Sequence, residues 1–593
     1  MIPFAFRALA VGCTLALGAT ASHAAVRLSE AFNGGWFNPE RPNSGVLLDF
    51  IPQPNAETGK TGTLFIAGFS YDAQGRDRWV ILQTEVFGQE FEFNNVPVLA
   101  FSGGRFFGTQ QPSSQQIGTA RITIHSCDAI EIQFSGMPSD YGNIATGRMV
   151  RLTGPVDPEI CPYKREFTAE SCGNLPGQVT ADPARRTCTL NAPPSNPLRG
   201  EILFRNEATW VLTGLTVVGG DNVDTGVLRI EPGTVITGGG ETSDYLYIRP
   251  GSKIFAQGTR RHPVIMTSDR DGVRGQRPAP GDWGGLVISG NAPANPCPTA
   301  PFNCTDEFGS LRYGGDRPNE SSGIVRFVQI RYAGYQFAAN REVNSLTLQG
   351  VGKGTVIEYV QAFRGSDDAF EWFGGGANAR YIVATECEDD ILDTDFGANP
   401  NIQFAIIKQG PLADHGIEAD NNEQNNDAAP RSRPTIANVT FLGSAAGQDG
   451  ARLRRGTGFR IYNTVFTGFS RSCLNIDGAA TFAVAGTPSN LSGNLIIEHS
   501  LVHCPTAARG NFSDDSGQPW LESAWFQAQP GNLTGDPRFA ADGITPRADS
   551  PLRGAGKNVA TVDPWFIPTD HIGAVRDEND TWWKGWTYFP LGN

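Results

Sequence analysis

The sequence predicts an all-β protein in two parts, a small antiparallel β domain followed by a long solenoid of parallel strands. Three observations carry this. Gly is very common, at 71 of 593 residues, and Phe is plentiful at 36, while helix formers are sparse. Up to about Gly154, short runs alternate apolar and polar residues, the period-2 signature of half-buried strands. Beyond Cys188, short β-branched runs recur between Gly-rich turns, and from Val356 they return every 22 to 25 residues. A fixed period of that size indicates stacked coils.

Residues 1–24 read as a secretory signal peptide. Arg7 supplies the positive charge, "ALAVGCTLALGATA" the apolar stretch, and "SHA" before Ala25 the cleavage site. That stretch is too short to span a bilayer and no later one is long enough. The expected product therefore has no integral membrane segment and is secreted, periplasmic or held at the cell surface. The formal net charge of −14 becomes about −15 once Arg7 is removed. Nucleic acid is then a poor partner, because binding it needs clustered Lys and Arg. Cations and neutral or cation-bridged polymers fit better.

Residues 25–154 make the β domain, in which "TGTLFIAGFSY", the turn "DAQG" and "RDRWVILQTEV" form a hairpin by pattern. Trp36, Tyr71 and Trp79 either stack on a sugar or fill the domain's core. A Pro- and Cys-rich connector occupies 155–198. Ten cysteines, less Cys13 in the signal peptide, leave nine, an odd number for an oxidising compartment. Cys297 with Cys304 and Cys172 with Cys188 are the expected pairs. Partners for Cys127, Cys161, Cys473 and Cys504 stay open, and Cys387 is the expected free thiol.

The solenoid occupies 199–593. Its runs are too short and too β-branched for helical repeats. Asn438 in "IANVTF" and Asn463 in "IYNTVF" share a register, as an inward Asn ladder between coils would require. The segments "LRIEPGTVI", "GDWGGLVISGNAP", "SGIVRFVQIRYAG", "DDAFEWFGG" and "DTDFG" resemble a family of exported bacterial proteins of the pectin-lyase-like class. The resemblance covers roughly two thirds of the chain, from about Arg199 onward. It implies a right-handed parallel β-helix, with no single activity attached. The final "DHIGAVRDENDTWWKGWTYF" is then expected to pack as an aromatic tail on the last coil.

An acidic pattern repeats within the coils. Asp367-Asp368 with Glu371 is followed by Asp389-Asp390 with Asp393, and then by Asp414-His415 with Glu418. Stacked one coil apart, these give three columns with neighbours ~4.8 Å apart. Asp395 and Asp420 lie two residues further on and point to the same face. Matching Ile417 to Leu453 extends the third column to Arg454, and a further coil reaches Asp477. Adjacent carboxylates at that spacing repel by roughly 3.5 kcal/mol at an effective dielectric of about 20. Relief can come from calcium, held by Asp367, Asp368, Glu371, Asp389, Asp395, Glu418 and Asp420. It can come from Arg364, Arg452, Arg454 and Arg455, or from an acid that stays protonated.

The expected function is calcium-stabilised binding of an extracellular or cell-surface polysaccharide, or adhesion by the same rod, with Phe370, Trp372 and Phe373 as an exposed aromatic rim unless Phe373 is core. The alternative is a polysaccharide hydrolase or lyase with Asp390, Asp393, Asp414, His415 and Arg454 on the catalytic face. Lys408 with Arg454 would serve a lyase. Against the polygalacturonase pattern, the Asn-Thr-Asp and Arg-x-Lys segments are absent and "DHG" stands where "GHG" is expected. An open groove over the acids favours the enzyme, whereas burial under loop 421–434 favours a binder or strut. "GVGKGT" at 350–355 lacks the phosphate-loop spacing and reads as a turn. His499 and His503, on one strand, would lie ~13 Å apart, too far to share an ion.

Overall fold

The computed structural model describes residues 27–588, apart from 72–73, 89, 103–111, 142–146, 153–156, 158, 240–243, 307–310 and 339–340. The expected signal peptide lies outside the described residues. No helix among them is long and apolar enough to cross a membrane.

Eight antiparallel strands, from Gly34–Asn38 to Gly147–Arg151, follow one another in sequence order and close into a barrel where Trp36 pairs with Arg151. Alternation sorts inside from outside: Leu64, Ile66, Val80, Leu82 and Ile122 point inward and are fully buried. The expected hairpin is there, Lys60–Tyr71 paired with Asp77–Phe87. The three aromatic residues do not share a platform. Trp36 is core, with its indole N–H donating to the Phe32 carbonyl, while Tyr71 and Trp79 are 63% and 43% exposed. Barrel and solenoid touch backbone to backbone. A Cβ on Gly88 would fall 2.6 Å from the Gly272 Cα, so only glycine fits there.

The solenoid is a parallel β-helix, whose crossovers turn right-handed as parallel connections do. One face is a sheet of nine parallel strands. They are β1 (Leu215–Val218), β2 (Tyr245–Ile248), β3 (Gly285–Ser289), β4 (Leu346–Gln349), β5 (Phe370–Phe373), β6 (Leu392–Asp395), β7 (Ile417–Ala419), β8 (Asp449–Leu453) and β9 (Ser472–Ile476). Inward positions stack apolar on apolar: Leu346, Phe370, Leu392 and Ile417 lie one above the other, all fully buried. The other faces come from one continuous sheet whose strands bend midway, such as Val356–Phe363 and Ala379–Thr385. The coil length is not constant. Steps from Glu358 to Arg380 and from Arg380 to Gln403 take 22 and 23 residues, but Gln403 to Ala437 takes 34.

Each bend sits at a residue with left-handed φ, and these residues form a column: Phe327, Tyr359, Tyr381, Phe404, Asn438, Asn463 and His499, with φ between 48° and 60°. Such a conformation costs a non-glycine residue about 1–3 kcal/mol. Packing offsets it, since the four aromatic rings stack at 4.4, 4.6 and 4.9 Å, close to the strand spacing. The two asparagines are not an inward ladder. Asn438 donates to the carbonyls of His571 and Gly573, and Asn463 to that of Lys557. They anchor the C-terminal segment, which does not stop at the last coil. It runs back along the outside of the helix, laying Trp582 and Trp586 against the aromatic column and Tyr588 against Phe363. The end of the coil is closed instead by helix α1 (Ala479–Ala485) and helix α2 (Glu522–Ala528), which put Phe482, Trp525 and Phe526 over the core.

Four disulfides close among the described residues: Cys127–Cys161, Cys172–Cys188, Cys297–Cys304 and Cys473–Cys504. Cys387 is buried and free. The bonds are consistent with an extracellular protein.

Candidate functional site

The acids converge on the outer surface of the nine-stranded sheet. Glu371 of β5 is in register with Asp393 of β6, and Asp393 with Glu418 of β7. One strand step before them comes Thr347 of β4. Asp368 and Asp390 occupy the turns leading into β5 and β6, and each reaches to the next coil. Asp368 Oδ1 accepts from the Asp390 amide at 3.0 Å, and Asp390 Oδ1 accepts from the His415 amide at 2.6 Å. Asp residues suit these turns because a carboxylate can satisfy a main-chain N–H that the bend leaves without a ladder partner.

Above these residues lies a recess of about 410 Å³. Asp367, Asp368, Glu371, Asp389, Asp390, Asp393 and Glu418 all line it. Asp306 and Glu388 join them, which the sequence pattern did not indicate because neither belongs to a repeated doublet. Nine carboxylates therefore face one cavity, and no Lys, Arg or His is among the described residues lining it. Nor is any residue of 421–434, so that loop does not roof the acids. Asp395, Asp414 and Asp420 lie outside the lining.

Charge relief differs from place to place along the sheet. Toward the C-terminal coils it is arginine. Arg454 Nε donates to Asp420 at 2.8 Å and its other arm reaches Glu418, while Arg455 binds Asp420 and Glu423. Arg452, not Arg454, is the residue in strand register with Glu418, and the next step is Asn475, not Asp477. The long loop between β7 and β8 displaces the count by two. Arg364 turns away to Glu57 of the barrel and to Glu386. Lys408 is exposed at the end of Asn401–Lys408, on the other sheet.

In the middle, relief is a hydrogen-bonded histidine. His415 is 1% exposed, with Nδ1 2.9 Å from Asp390 Oδ1 and Nε2 3.9 Å from the fully buried Asp449. Burial alone would lower its pKa, but the hydrogen bond and charge of Asp390, with Asp414 and Glu418 near, raise it. Asp449 itself accepts from Ser472, Asn475 and Arg471. It continues the Asp368–Asp390–His415 column, hidden from sequence reading by the same loop.

At the recess centre, Asp368, Glu371 and Asp393 each offer an oxygen within 4.8 Å of the others. The Asn344 amide donates to Glu371, but Asp393 Oδ1 is buried with no hydrogen-bond partner among the described residues. Burial, and then neighbouring carboxylates, push Asp368 and Asp393 well above the usual carboxylate range. The same causes lift Asp395 to about 8 and Glu418 to about 7, the latter despite Arg454. A second all-oxygen set, Asp367, Asp368 and Asp389, shares Asp368 with the first. Oxygen-only donors suit a hard divalent cation such as calcium.

Of the expected aromatic rim only Phe373 reaches this surface, where it lines the recess while packing with Ala294, Cys304 and Tyr313; Phe370 and Trp372 point into the core. "GVGKGT" is a turn whose Gly352 amide donates to Glu320, a carboxylate rather than a phosphate.

Fold and recess together define a parallel β-helix protein with a carboxylate-lined groove on one sheet. Residues 197–506 match the family described as pectate-lyase like beta helix domain, and the chain belongs to it. Membership carries a polysaccharide-related role at the level of the family. No curated protein and no solved structure matches the chain.

Proposed function

We propose that the recess holds calcium at Asp368, Glu371 and Asp393, with Asp367 and Asp389 on its outer side, and that the protein binds an acidic polysaccharide through that ion. The observation that carries this is the lining itself, nine carboxylates round one recess with no Lys, Arg or His among the described residues that line it, and an Asp393 oxygen buried there without a hydrogen-bond partner among the described residues. A divalent cation would offset two of the trio's three negative charges and leave coordination positions for uronic-acid carboxylates. Calcium titration followed by calorimetry with oligogalacturonides tests the reading. Binding that needs calcium and disappears in Asp393→Asn supports it; calcium-independent binding, or none, refutes it.

A hydrolytic reading rests on one further observation. Asp393, held above the usual carboxylate range among other acids, has the character of a general acid. Asp390 and Asp414 would then be the partner carboxylates. His415 and Arg454, tied to Asp390 and to Glu418 with Asp420, would position them rather than touch the sugar. New reducing ends from a polysaccharide panel, lost in Asp393→Asn, would support this second reading over simple binding.

A further inference from the structure

The outward positions of the nine-stranded sheet form one row along the helix. In order they are Val217, Tyr247, Val287, Thr347, Glu371, Asp393, Glu418, Arg452 and Asn475, one from each of β1 to β9. The row changes character at Thr347. Before it the residues are apolar and sealed, with Val217, Tyr247 and Val287 at 0%, 1% and 2% exposure. At the far edge of the recess and just beyond it, Glu418 and Arg452 keep 15% and 27% of their side chains in solvent.

What seals the first part is the connection between β3 and the next coil, of which 290–306 and 311–322 are described. It folds back as a two-stranded hairpin, Cys304–Thr305 against Arg312–Tyr313, closed at its base by Cys297–Cys304. Leu311 packs with Val217, Tyr245, Tyr247, Val287 and Val343, and the Tyr247 hydroxyl donates to the Arg312 carbonyl at 3.3 Å. Tyr313 and Cys304 are buried with Phe373 of β5. The hairpin is therefore part of a packed cluster, and Asp306 and Leu311 stand as the wall of the acidic recess.

We infer that the recess receives the end of a polysaccharide chain rather than its middle. A chain lying along the row from Arg452 toward Glu371 meets Leu311, Asp306 and Val343, and among the described residues has no path onward over the sealed Val287. This rests on the reading that the recess binds a polysaccharide, and it adds the mode of binding. The recess would recognise a terminal sugar, and the hairpin would be its specificity element.

The test uses the unaltered protein with calcium and a length series of oligogalacturonides, measuring by calorimetry the number of protein molecules bound per chain. An end-binding recess gives one protein per chain at every length, and affinity per mole of chain that stays level once the groove is filled. A through-groove gives a number that climbs with length and overturns the inference while leaving polysaccharide binding intact. Absence of binding at all lengths overturns both. A bulky label on the reducing end, compared with modification of the opposite end, provides an independent check: one of the two must abolish binding at least tenfold, and indifference to both refutes end recognition. Leu311→Ala, which trims the wall without touching a carboxylate, is expected to weaken the shortest oligomer about threefold or more while calcium binding is unchanged.

Discussion

A single oxygen, Asp390 Oδ1, accepts both the His415 amide at 2.6 Å and the His415 ring nitrogen at 2.9 Å. One carboxylate thus fixes the turn into β7 and orients the imidazole behind the acidic recess. Asp390→Ala leaves both donors buried and is expected to cost about 3–5 kcal/mol, as when one partner of a buried pair is removed. Asp390→Asn keeps an acceptor and should cost less. Urea unfolding midpoints measure both.

The raised pKa of His415 gives the pair a pH signature. A group that binds its proton more tightly when folded contributes fully below its unfolded value, about 6.5, and loses that contribution as pH climbs past the folded value. The stability gap between wild type and His415→Gln should be widest near pH 5–6 and narrow toward alkaline pH. A gap independent of pH would mean that the ring is neutral throughout.

The acids around the recess act in the same sense. Asp395 at about 8 and Glu418 at about 7 hold protons in the folded state that the unfolded chain releases near pH 4. In chelator, the melting temperature should fall as pH rises from about 5 through 8, because folded carboxylates are then forced to ionise. Calcium should restore it most at the high end, by about 2.7 kcal/mol at a hundred times its dissociation constant. Asp395→Asn should flatten the slope in chelator.

At the far end of the coil, Glu522 of α2 accepts from the amides of Ile476 and Ser513 at 3.0 and 3.1 Å. A side chain here does what the next strand would do. Glu522→Ala strands two buried N–H groups and should cost about 2–5 kcal/mol, while Glu522→Gln, retaining one acceptor oxygen, should recover part of that. Equal losses in the two variants would show that packing, not capping, is at stake.

Trp586 lies across Phe327 and Tyr359, with its indole N–H donating to the Trp582 carbonyl at 2.9 Å. Trp586→Ala should cost about 3–5 kcal/mol. Calcium binding, on the opposite side of the coil, should not change.

The coil and its acidic face were legible because Asp367-Asp368, Asp389-Asp390 and Asp414-His415 repeat at coil length, each with an acid three residues on. Legibility ended where the coil lengthened. Between Gln403 and Ala437 eleven more residues enter than in the step before, which hid Asp449 and made Arg454 look like the register partner of Glu418. The burial of Phe370 and Trp372 was in principle readable from the acids. Once Glu371 faces out, its two neighbours on the strand face in. The destination of the C-terminal aromatic segment was not readable, since nothing local distinguishes packing on the last coil from packing along seven of them.

That returning segment changes how the solenoid should fail. Stacked coils held only by their neighbours unravel from an end, one repeat at a time. Here the chain is lashed lengthwise, from Asn463 in a late coil back to Phe363 in the middle and Asp271 in an earlier coil, through Trp582, Trp586 and Tyr588. A coil at the C-terminal end cannot peel away without dragging that lashing along the coils it crosses. Under load the lashed coils should therefore hold together and then give way in one event.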